Sequence, residues 1–206
     1  MSAFVFSNEF LKIFSSFGVT SVCMIGAYGQ YDQRKQILEA KNSHNVSMLW
    51  TITFAILSAS FVIQGVATES YTMQFHGILR SAMYVLIFIA LFVSGYKFSD
   101  FDIMVLLILS SMLLGMMLYD QMRDFHFQIL GYIAVLASCH QPYIIYKNKT
   151  RGDVSIVMLG TYNLGVMFWM MYAWLDHQPE LFWMSAAFFM VYTTTMVLWY
   201  CTEEYP

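Results

Sequence analysis

The chain has 206 residues, of which 59% are hydrophobic and only 11% are charged. Soluble globular domains carry about 25% charged residues, so this composition excludes an ordinary soluble protein. The net charge of −3 also excludes the strongly basic surface that is typical of nucleic-acid-binding proteins.

Apolar runs of about 20 residues recur along the chain, and each is long enough to cross the hydrocarbon core of a bilayer as a helix. No basic segment precedes the first run and no small-residue cleavage site follows it, so we expect it to remain in the mature protein. The runs lack a period of two residues, which favours helices over strands. The seven runs lie at about 10–30, 48–67, 71–96, 101–120, 125–147, 153–176 and 180–201.

Positive charge is distributed unevenly between the two sides that these runs define. The connections after the first, third and fifth runs hold most of the lysines and arginines, whereas the other side holds Lys12 and Arg123. Cytoplasmic connections of membrane proteins carry the excess of Lys and Arg. We therefore predict a multi-pass protein with an extracellular or lumenal N-terminus and a cytoplasmic C-terminus. The basic residues predicted to be cytoplasmic are Arg34, Lys35, Lys41, Lys97, Lys147, Lys149 and Arg151.

Two polar segments match each other when Asp32 is aligned with His140. The stretch DQRKQILEAKNSHNVS begins at Asp32, and the stretch HQPYIIYKNKTRGDVS begins at His140. The segments share Gln, Ile, Lys and Val-Ser at the same positions without a gap, and the same offset pairs Tyr84 with Tyr192. The sequence therefore predicts an internal repeat that contains three helices.

Two three-helix repeats leave one helix over, the fourth run. Because each repeat has an odd number of helices, a second repeat that followed the first directly would be inverted in the membrane. One inserted helix restores the same orientation. The sequence thus predicts an all-α membrane protein of seven transmembrane helices, with two parallel repeats related by an axis along the membrane normal. The predicted divisions are 1–96 for the first repeat, 97–124 for the linker helix and 125–206 for the second repeat.

The paired segments resemble the PQ-loop of the MtN3/saliva/SWEET family of membrane transporters. The motif of that family runs from Pro-Gln through a helix end and a basic turn to Leu/Val-Ser. Both Gln33 to Ser47 and Gln141 to Ser155 keep its distance of fourteen residues. The resemblance extends over nearly the whole chain and implies the layout of three, one and three helices.

The proline of the motif is replaced in both segments. Asp32 stands in its place in the first, His140 stands there in the second, and Pro142 lies on the other side of the second glutamine. Such prolines let helices bend as the cytoplasmic gate opens, so the resemblance implies gate roles for Gln33, Gln141 and Pro142. A carboxylate facing an imidazole would form a pH-sensitive latch or a proton-coupling pair. Alternatively, both side chains lie in interfacial water, where polar groups cost little.

One arginine lies well inside an apolar run. Arg80 follows Tyr71 by nine residues, which places it about 14 Å along a helix. His76 and Tyr84 lie four residues before and after it, so all three share one helix face. An ionisable group at this depth faces the bundle interior or a watery cavity. The face is a candidate for binding a carboxylate or phosphate of a solute; alternatively, the arginine is structural and bonds to helix carbonyls or to an internal acid.

Further candidates for solute contact are aromatic and amide side chains. The resemblance assigns Trp169 to the tryptophan that flanks the sugar in SWEET proteins, and Phe61 is its equivalent in the first repeat. The paired asparagines of the family have no clear counterpart, although Gln74 and His76 stand near one of their places. Asn163 is an amide within the sixth run, where it either contacts solute or bonds two helices together. For the tryptophan, core or interface packing is the alternative.

The chain contains no Walker glycine loop, GxSxG or HExxH motif, so we predict no enzyme, no cofactor and no metal site. We predict a transporter of a small organic solute, a sugar, an amino acid or a vitamin-like molecule, that works by alternating access with or without proton coupling. The alternative is a membrane receptor or partner-binding protein on the same fold, as the KDEL receptor resembles PQ-loop transporters. The implied partners are the solute and the lipid bilayer, and assembly into a homo-oligomer stays open.

Overall fold

The computed structural model describes residues 2–40, 48–149 and 156–202. Side chains in these ranges are described except at 2–7, 32, 33, 36, 39, 40, 144, 148, 157 and 158. The described residues form seven α-helices and no strand, which agrees with the need to satisfy backbone groups inside lipid. The helices are α1 (Ser2–Ala40), α2 (Met48–Ala67), α3 (Tyr71–Val93), α4 (Asp100–Leu118), α5 (Asp120–Asn148), α6 (Ile156–Leu175) and α7 (Pro179–Cys201).

Six of the described helices are long and apolar enough to cross a membrane. The crossing segments are Asn8–Tyr31 in α1, Asp120–Lys147 in α5, and the whole of α2, α3, α4 and α7. The remaining helix, α6, coincides with the sixth predicted run; it has 20 residues and is therefore about 30 Å long. The prediction of an all-α protein with several membrane-spanning helices is confirmed for the described part of the chain.

Two helices extend beyond the apolar runs that predicted them. α1 continues past Tyr31 to Ala40, and α5 continues to Asn148 with Pro142 inside the helix. The end of α1 reads QRKQILEA, and these residue types have high helix propensity in water as well as in lipid. The first nine residues of each paired polar segment are thus helical, and the connecting loop begins after them.

α3 ends at Val93, three residues before the end of the predicted run. Gly95 follows in the left-handed region with φ 79°, a conformation that glycine adopts without steric cost. The next N–H, of Tyr96, donates to Leu91 O at 3.0 Å. This C-cap geometry explains why the helix stops while the sequence is still apolar.

The helix boundaries of the two predicted repeats coincide at the same offset that aligns the two polar segments. α1 and α5 end at Ala40 and Asn148, and α2 and α6 begin at Met48 and Ile156. The same offset relates the end of α2 to the end of α6. It also relates both ends of α3 to those of α7. Since few residues are identical outside the polar segments, this agreement is independent support for the repeat.

The turn between α2 and α3 has the same geometry as the turn between α6 and α7. Glu69 and its equivalent His177 both adopt a φ of 53°. In each turn the next N–H donates to a helix carbonyl five residues back, at 2.8 Å in the first turn and 2.9 Å in the second. This bond belongs to the Schellman motif, whose left-handed position usually holds glycine. A non-glycine residue at both equivalent positions is a further feature that the two halves share.

The described helices pack as two compact units. The terminal unit comprises Met1–Cys23 and Ser138–Pro206, and the central unit comprises Met24–Ala137. The division passes through α1 and α5, so each of these helices contributes to both units. The two units are defined by contacts between residues. The predicted divisions at 1–96, 97–124 and 125–206 are defined instead by the match between the two halves of the sequence.

In the central unit, α3 packs against both α1 and α2. Gly77 of α3 lies so close to α2 that an added Cβ would be 2.7 Å from Val62 N. On the α1 side, Ser94 Oγ donates to Ile37 O at 3.3 Å. α2 also contacts α4. Small residues that allow close backbone approach are the usual means of helix association in membranes.

In the terminal unit, the N-terminal part of α1 packs on α6, which in turn packs on α7. Gly18 of α1 contacts the ring of Phe168, and a Cβ at this position would collide with that ring. Phe14 meets the same ring edge-on, with centroids 5.8 Å apart. Lys12 forms an ion pair with Asp176, just after the end of α6.

A reciprocal pair of hydrogen bonds begins α4. Ser99 Oγ accepts from Asp102 N at 3.2 Å, and the Asp102 carboxylate accepts from Ser99 N at 2.9 Å, which forms a capping box. The same carboxylate accepts from the Tyr96 hydroxyl at 3.2 Å. Burial, together with the nearby charge and hydrogen bond of Asp102, raises the pKa of Tyr96 above its ordinary value.

We expect Asp102→Ala to destabilise the protein by about 1 kcal/mol, because Ser99 N and the Tyr96 hydroxyl lose the carboxylate that accepts their hydrogen bonds. Thermal unfolding of the purified protein in detergent measures the change. Asp100→Ala is the matched control, since Asp100 is exposed in the same helical turn. Equal losses of stability in the two variants would contradict the capping role of Asp102.

Candidate functional site

A buried hydrogen bond joins α3 to α1. Arg80 Nη1 donates to Gln30 Oε1 at 3.0 Å. Only 8% of Arg80 and 1% of Gln30 are exposed, and a hydrogen bond with one charged member is stronger than a neutral one. The structural alternative for Arg80 named helix carbonyls or an acid as its partner, and the bond to Gln30 adds a side-chain amide.

Gly26 allows the guanidinium of Arg80 to lie against α1. A Cβ added at Gly26 would be 2.7 Å from Arg80 Cζ and 2.9 Å from Arg80 Nη1. Gly26 and Gln30 are four residues apart in α1, so one helix face supplies both the space and the acceptor. The sequence prediction missed both residues, although the spacing of a glycine and an amide near the end of an apolar run was a usable signal.

His76 belongs to an aromatic cluster one helical turn before Arg80. The centroids of the His76 and Phe61 rings are 5.1 Å apart. Phe61 also meets Phe127 of α5 edge-on, with centroids 5.1 Å apart. The structure thus brings together two predicted solute contacts, His76 and Phe61, and adds Phe127 to them.

Two other predicted residues of α3 make contacts within the helix bundle. Gln74 Nε2 donates to Gly65 O, near the end of α2, at 3.0 Å. Tyr84 is 2% exposed, and its ring centroid lies 6.0 Å from that of Trp50. In these positions Gln74 secures the turn between α2 and α3, and Tyr84 packs in the core of the central unit.

A second polar link in the central unit joins α2 to α5. Gln64 Nε2 donates to Asp124 Oδ1 at 2.9 Å. Gln64 is 8% exposed, and no described atom donates a hydrogen bond to its buried Oε1. The two residues are 60 positions apart in the chain, so their sequence spacing carried no signal of the contact.

In the terminal unit, Asn163 connects α6 to α7. Its Nδ2 donates to Thr193 Oγ1 at 3.1 Å and lies 3.6 Å from Met196 Sδ. Its Oδ1 is buried, and none of the described atoms donates to it. The amide therefore bonds two helices together, as one of the two sequence alternatives expected, and its carbonyl oxygen keeps the capacity to accept a hydrogen bond.

The two tryptophans of α6 differ sharply in environment. Trp169 is 7% exposed, whereas Trp174 is 70% exposed. The Trp169 ring meets the buried Tyr172 ring edge-on, with centroids 5.5 Å apart and an interplanar angle of 88°. Trp169 thus lies among internal aromatic side chains, and Trp174 lies on the exposed surface of the same helix.

The predicted gate residues lie near the ends of α1 and α5. The side chains of Asp32 and Gln33 lie outside the described residues, so the proposed contact between Asp32 and His140 stays a prediction. His140 is exposed, Gln141 is partly exposed and Pro142 is buried within α5.

Together, the described side chains offer hydrogen bonds and aromatic surfaces. The buried polar atoms that have no described hydrogen-bond partner include three side-chain amide atoms: Gln30 Nε2, Gln64 Oε1 and Asn163 Oδ1. Within the described ranges, no group of three or more His, Cys, Asp and Glu side chains is placed to hold a metal ion. Side-chain amides and aromatic rings are both groups that line sites for polar organic molecules.

We expect Gly26→Ala to destabilise the protein by about 1–3 kcal/mol, because the new Cβ displaces the Arg80 guanidinium from α1. Gly29→Ala is the matched control: a Cβ there would meet nothing within 4 Å, and alanine favours a helix by up to about 1 kcal/mol over glycine. In detergent, the unfolding temperature of Gly26→Ala should therefore fall below that of the wild type, and the unfolding temperature of Gly29→Ala should rise above it. Equal unfolding temperatures would contradict the close approach of Arg80 to α1.

The chain is similar in structure to a eukaryotic SWEET transporter solved at 3.7 Å resolution. The TM-score is 0.65, and the match covers 95% of this chain and 98% of that chain at 9% sequence identity. No family model matches the chain, and no curated protein matches it. The likeness establishes the fold: the chain is an integral, multi-pass membrane protein with the fold of a SWEET transporter.

Proposed function

We propose that the protein is a membrane transporter of a small organic solute. The observation that carries the proposal is the structural likeness to a SWEET transporter, because it extends over 95% of this chain and 98% of the other. Sugars, amino acids and vitamin-like molecules are the solute classes we propose to test first.

The proposed mechanism is alternating access by two parallel repeats. Support for the repeats comes from helix boundaries that coincide at the offset of the two polar segments and from the shared turn geometry at Glu69 and His177. Transporters built from parallel repeats use relative motion of the two copies to expose the solute to either side. The distribution of Lys and Arg supports an N-terminus outside or in the lumen and a cytoplasmic C-terminus.

The proposed solute contacts are aromatic, amide and guanidinium side chains. In the terminal unit they are the buried ring of Trp169 and Oδ1 of Asn163, to which no described atom donates a hydrogen bond. In the central unit we propose the buried Arg80 and the neighbouring rings of His76 and Phe61. We propose that Gln74 and Tyr84 support the helices around these contacts. Gln74 bonds to a helix carbonyl, and Tyr84 packs in the core.

The proposed inner gate lies at the polar ends of α1 and α5, with Gln33 and Gln141 at equivalent positions. Pro142 removes one backbone hydrogen bond from α5 and so provides a point at which the helix can bend. Proton coupling through Asp32 and His140 belongs to the same proposal, and a pH dependence of uptake that either substitution removes would support it.

Uptake into proteoliposomes tests the transport function. Purified protein is reconstituted, and accumulation of labelled sugars, amino acids and vitamins is compared with that in protein-free liposomes. We expect at least one solute to equilibrate faster with the protein present. Stabilisation of the protein by a solute that it does not carry would contradict transport and favour a receptor.

For the transported solute, we expect Trp169→Ala to lower uptake about tenfold, since an aromatic contact contributes roughly 1 kcal/mol beyond its buried area. Trp174→Ala makes the same chemical change on the same helix at an exposed position, and it should leave uptake near the wild-type rate. Equal effects of the two substitutions would argue against a solute contact at Trp169.

A further inference from the structure

We propose that the C-terminal end of α5 binds the headgroup of an anionic phospholipid. The side chains that carry the proposal are all exposed, and they are Tyr143, Tyr146, Lys147 and Lys149. The proposed contact depends on the membrane-spanning fold and is independent of whether the protein transports a solute.

These residues lie where α5 leaves the hydrocarbon core of the membrane. The apolar segment that can cross the membrane runs from Asp120 to Lys147, and the helix ends one residue later, at Asn148. The headgroup layer of a bilayer begins where its hydrocarbon core ends. Side chains at this end of α5 are therefore at the depth of the lipid phosphates.

One face of this helix end packs inside the protein, and the other face is exposed. Pro142 is buried and Ile145 is 1% exposed, whereas Tyr143 is 56% exposed and Tyr146 is 71% exposed. Tyrosine is enriched at membrane interfaces, because its ring contacts acyl chains while its hydroxyl reaches the polar layer. The exposed face thus offers two rings to acyl chains and two hydroxyl groups to headgroups.

An ammonium group lies beside one of these rings. Lys147 Nζ is 5.7 Å from the centroid of the Tyr143 ring, and the spacing of four residues puts both side chains on one helix face. A cation–π contact positions the ammonium group without neutralising its charge. Among the described residues, no carboxylate forms an ion pair with Lys147. Its N–H groups can therefore donate to a phosphate oxygen.

A second cation follows at the residue that ends the helix. Lys149 adopts a φ of 51°, and its N–H donates to Ile145 O at 2.9 Å, which is the geometry of a left-handed C-cap. The Lys149 side chain is exposed. Two ammonium groups are thus available two residues apart, at the edge of the apolar segment.

The charge of this segment favours an anionic lipid over a zwitterionic one. Residues 125–152 contain no Asp and no Glu. Basic residues just beyond a membrane-spanning helix are attracted to anionic lipids, and here they are Lys147, Lys149 and Arg151.

The matching end of α1 is less suited to an anionic lipid. It also carries two basic residues, Arg34 and Lys35, but Asp32 and Glu39 lie on either side of them in the sequence. Acidic neighbours weaken the attraction of a cation for a phosphate. The proposal is therefore made for α5.

Thermal unfolding in detergent tests the proposal with two lipids that differ in their headgroup only. Delipidated protein is titrated with dioleoyl phosphatidylglycerol, which is anionic, or with dioleoyl phosphatidylcholine, which is zwitterionic. We expect phosphatidylglycerol to raise the unfolding temperature at a lower concentration, because a lipid that binds the folded protein stabilises it by mass action. Glycerol 3-phosphate at equal ionic strength should leave the unfolding temperature unchanged, since it has no acyl chains to contact the tyrosine rings.

Substitution of the two lysines locates the effect. A lysine near an anionic membrane surface contributes about fivefold to affinity. Lys147→Gln and Lys149→Gln should each weaken binding of phosphatidylglycerol about fivefold, and the double variant about 25-fold, with binding of phosphatidylcholine unchanged. Lys147→Arg keeps the charge and should retain the wild-type affinity. Native mass spectrometry of the lipid-bound protein gives a second measure of the same affinities.

Lys97→Gln is the matched control. Lys97 is an exposed lysine that follows the end of α3, and the charge distribution predicts it on the same side of the membrane as Lys147. This variant should bind phosphatidylglycerol as the wild type does.

Three results would overturn the proposal. The first is equal stabilisation by the two lipids, and the second is stabilisation by glycerol 3-phosphate, which would indicate a site for soluble phosphates. The third is a lower unfolding temperature of the lysine variants at unchanged lipid affinity, because the lysines would then act only on the dipole of α5. The assay contains no solute, so none of these results bears on transport.

Discussion

A guanidinium buried within membrane-spanning helices must find hydrogen-bond acceptors in the protein, and this requirement determines how α3 packs on α1. Arg80 reaches Gln30 across a gap that exists because position 26 has no side chain. A larger residue at position 26, or a different register between the two helices, would leave the charge without this acceptor. The contact therefore constrains the geometry of the central unit as well as the chemistry proposed for it.

The two predicted repeats share most of their helix boundaries but not their polar side chains. Apart from the starts of α1 and α5, their helices begin and end at equivalent positions, and Glu69 and His177 adopt the same unusual backbone conformation. Helix ends depend on capping and turn geometry, which tolerate many side chains. Interior positions face different neighbours in each repeat, so an arginine in one can correspond to Phe188 in the other.

The sequence predicted the helices well because lipid leaves few alternatives for an apolar run of about 20 residues. It also identified Arg80, since a charge in such a run must face inward. Boundaries were less accurate where polar residues continue a helix, as at the end of α1, or where a left-handed glycine stops one, as at Gly95. Hydropathy measures preference for lipid, whereas a helix end depends on local hydrogen bonds.

The sequence alone determined that the chain is an all-α membrane protein, that it contains two similar segments and that Arg80 lies well inside a span. Only the tertiary structure decided which side chains meet. Gln30 and Gln64 acquire their partners from helices 50 and 60 residues away, and Gln74 turns out to bond to Gly65 O. The physical reason is that burial in lipid is a property of one helix, which its own residues encode, whereas a hydrogen bond between helices depends on the register and rotation of both.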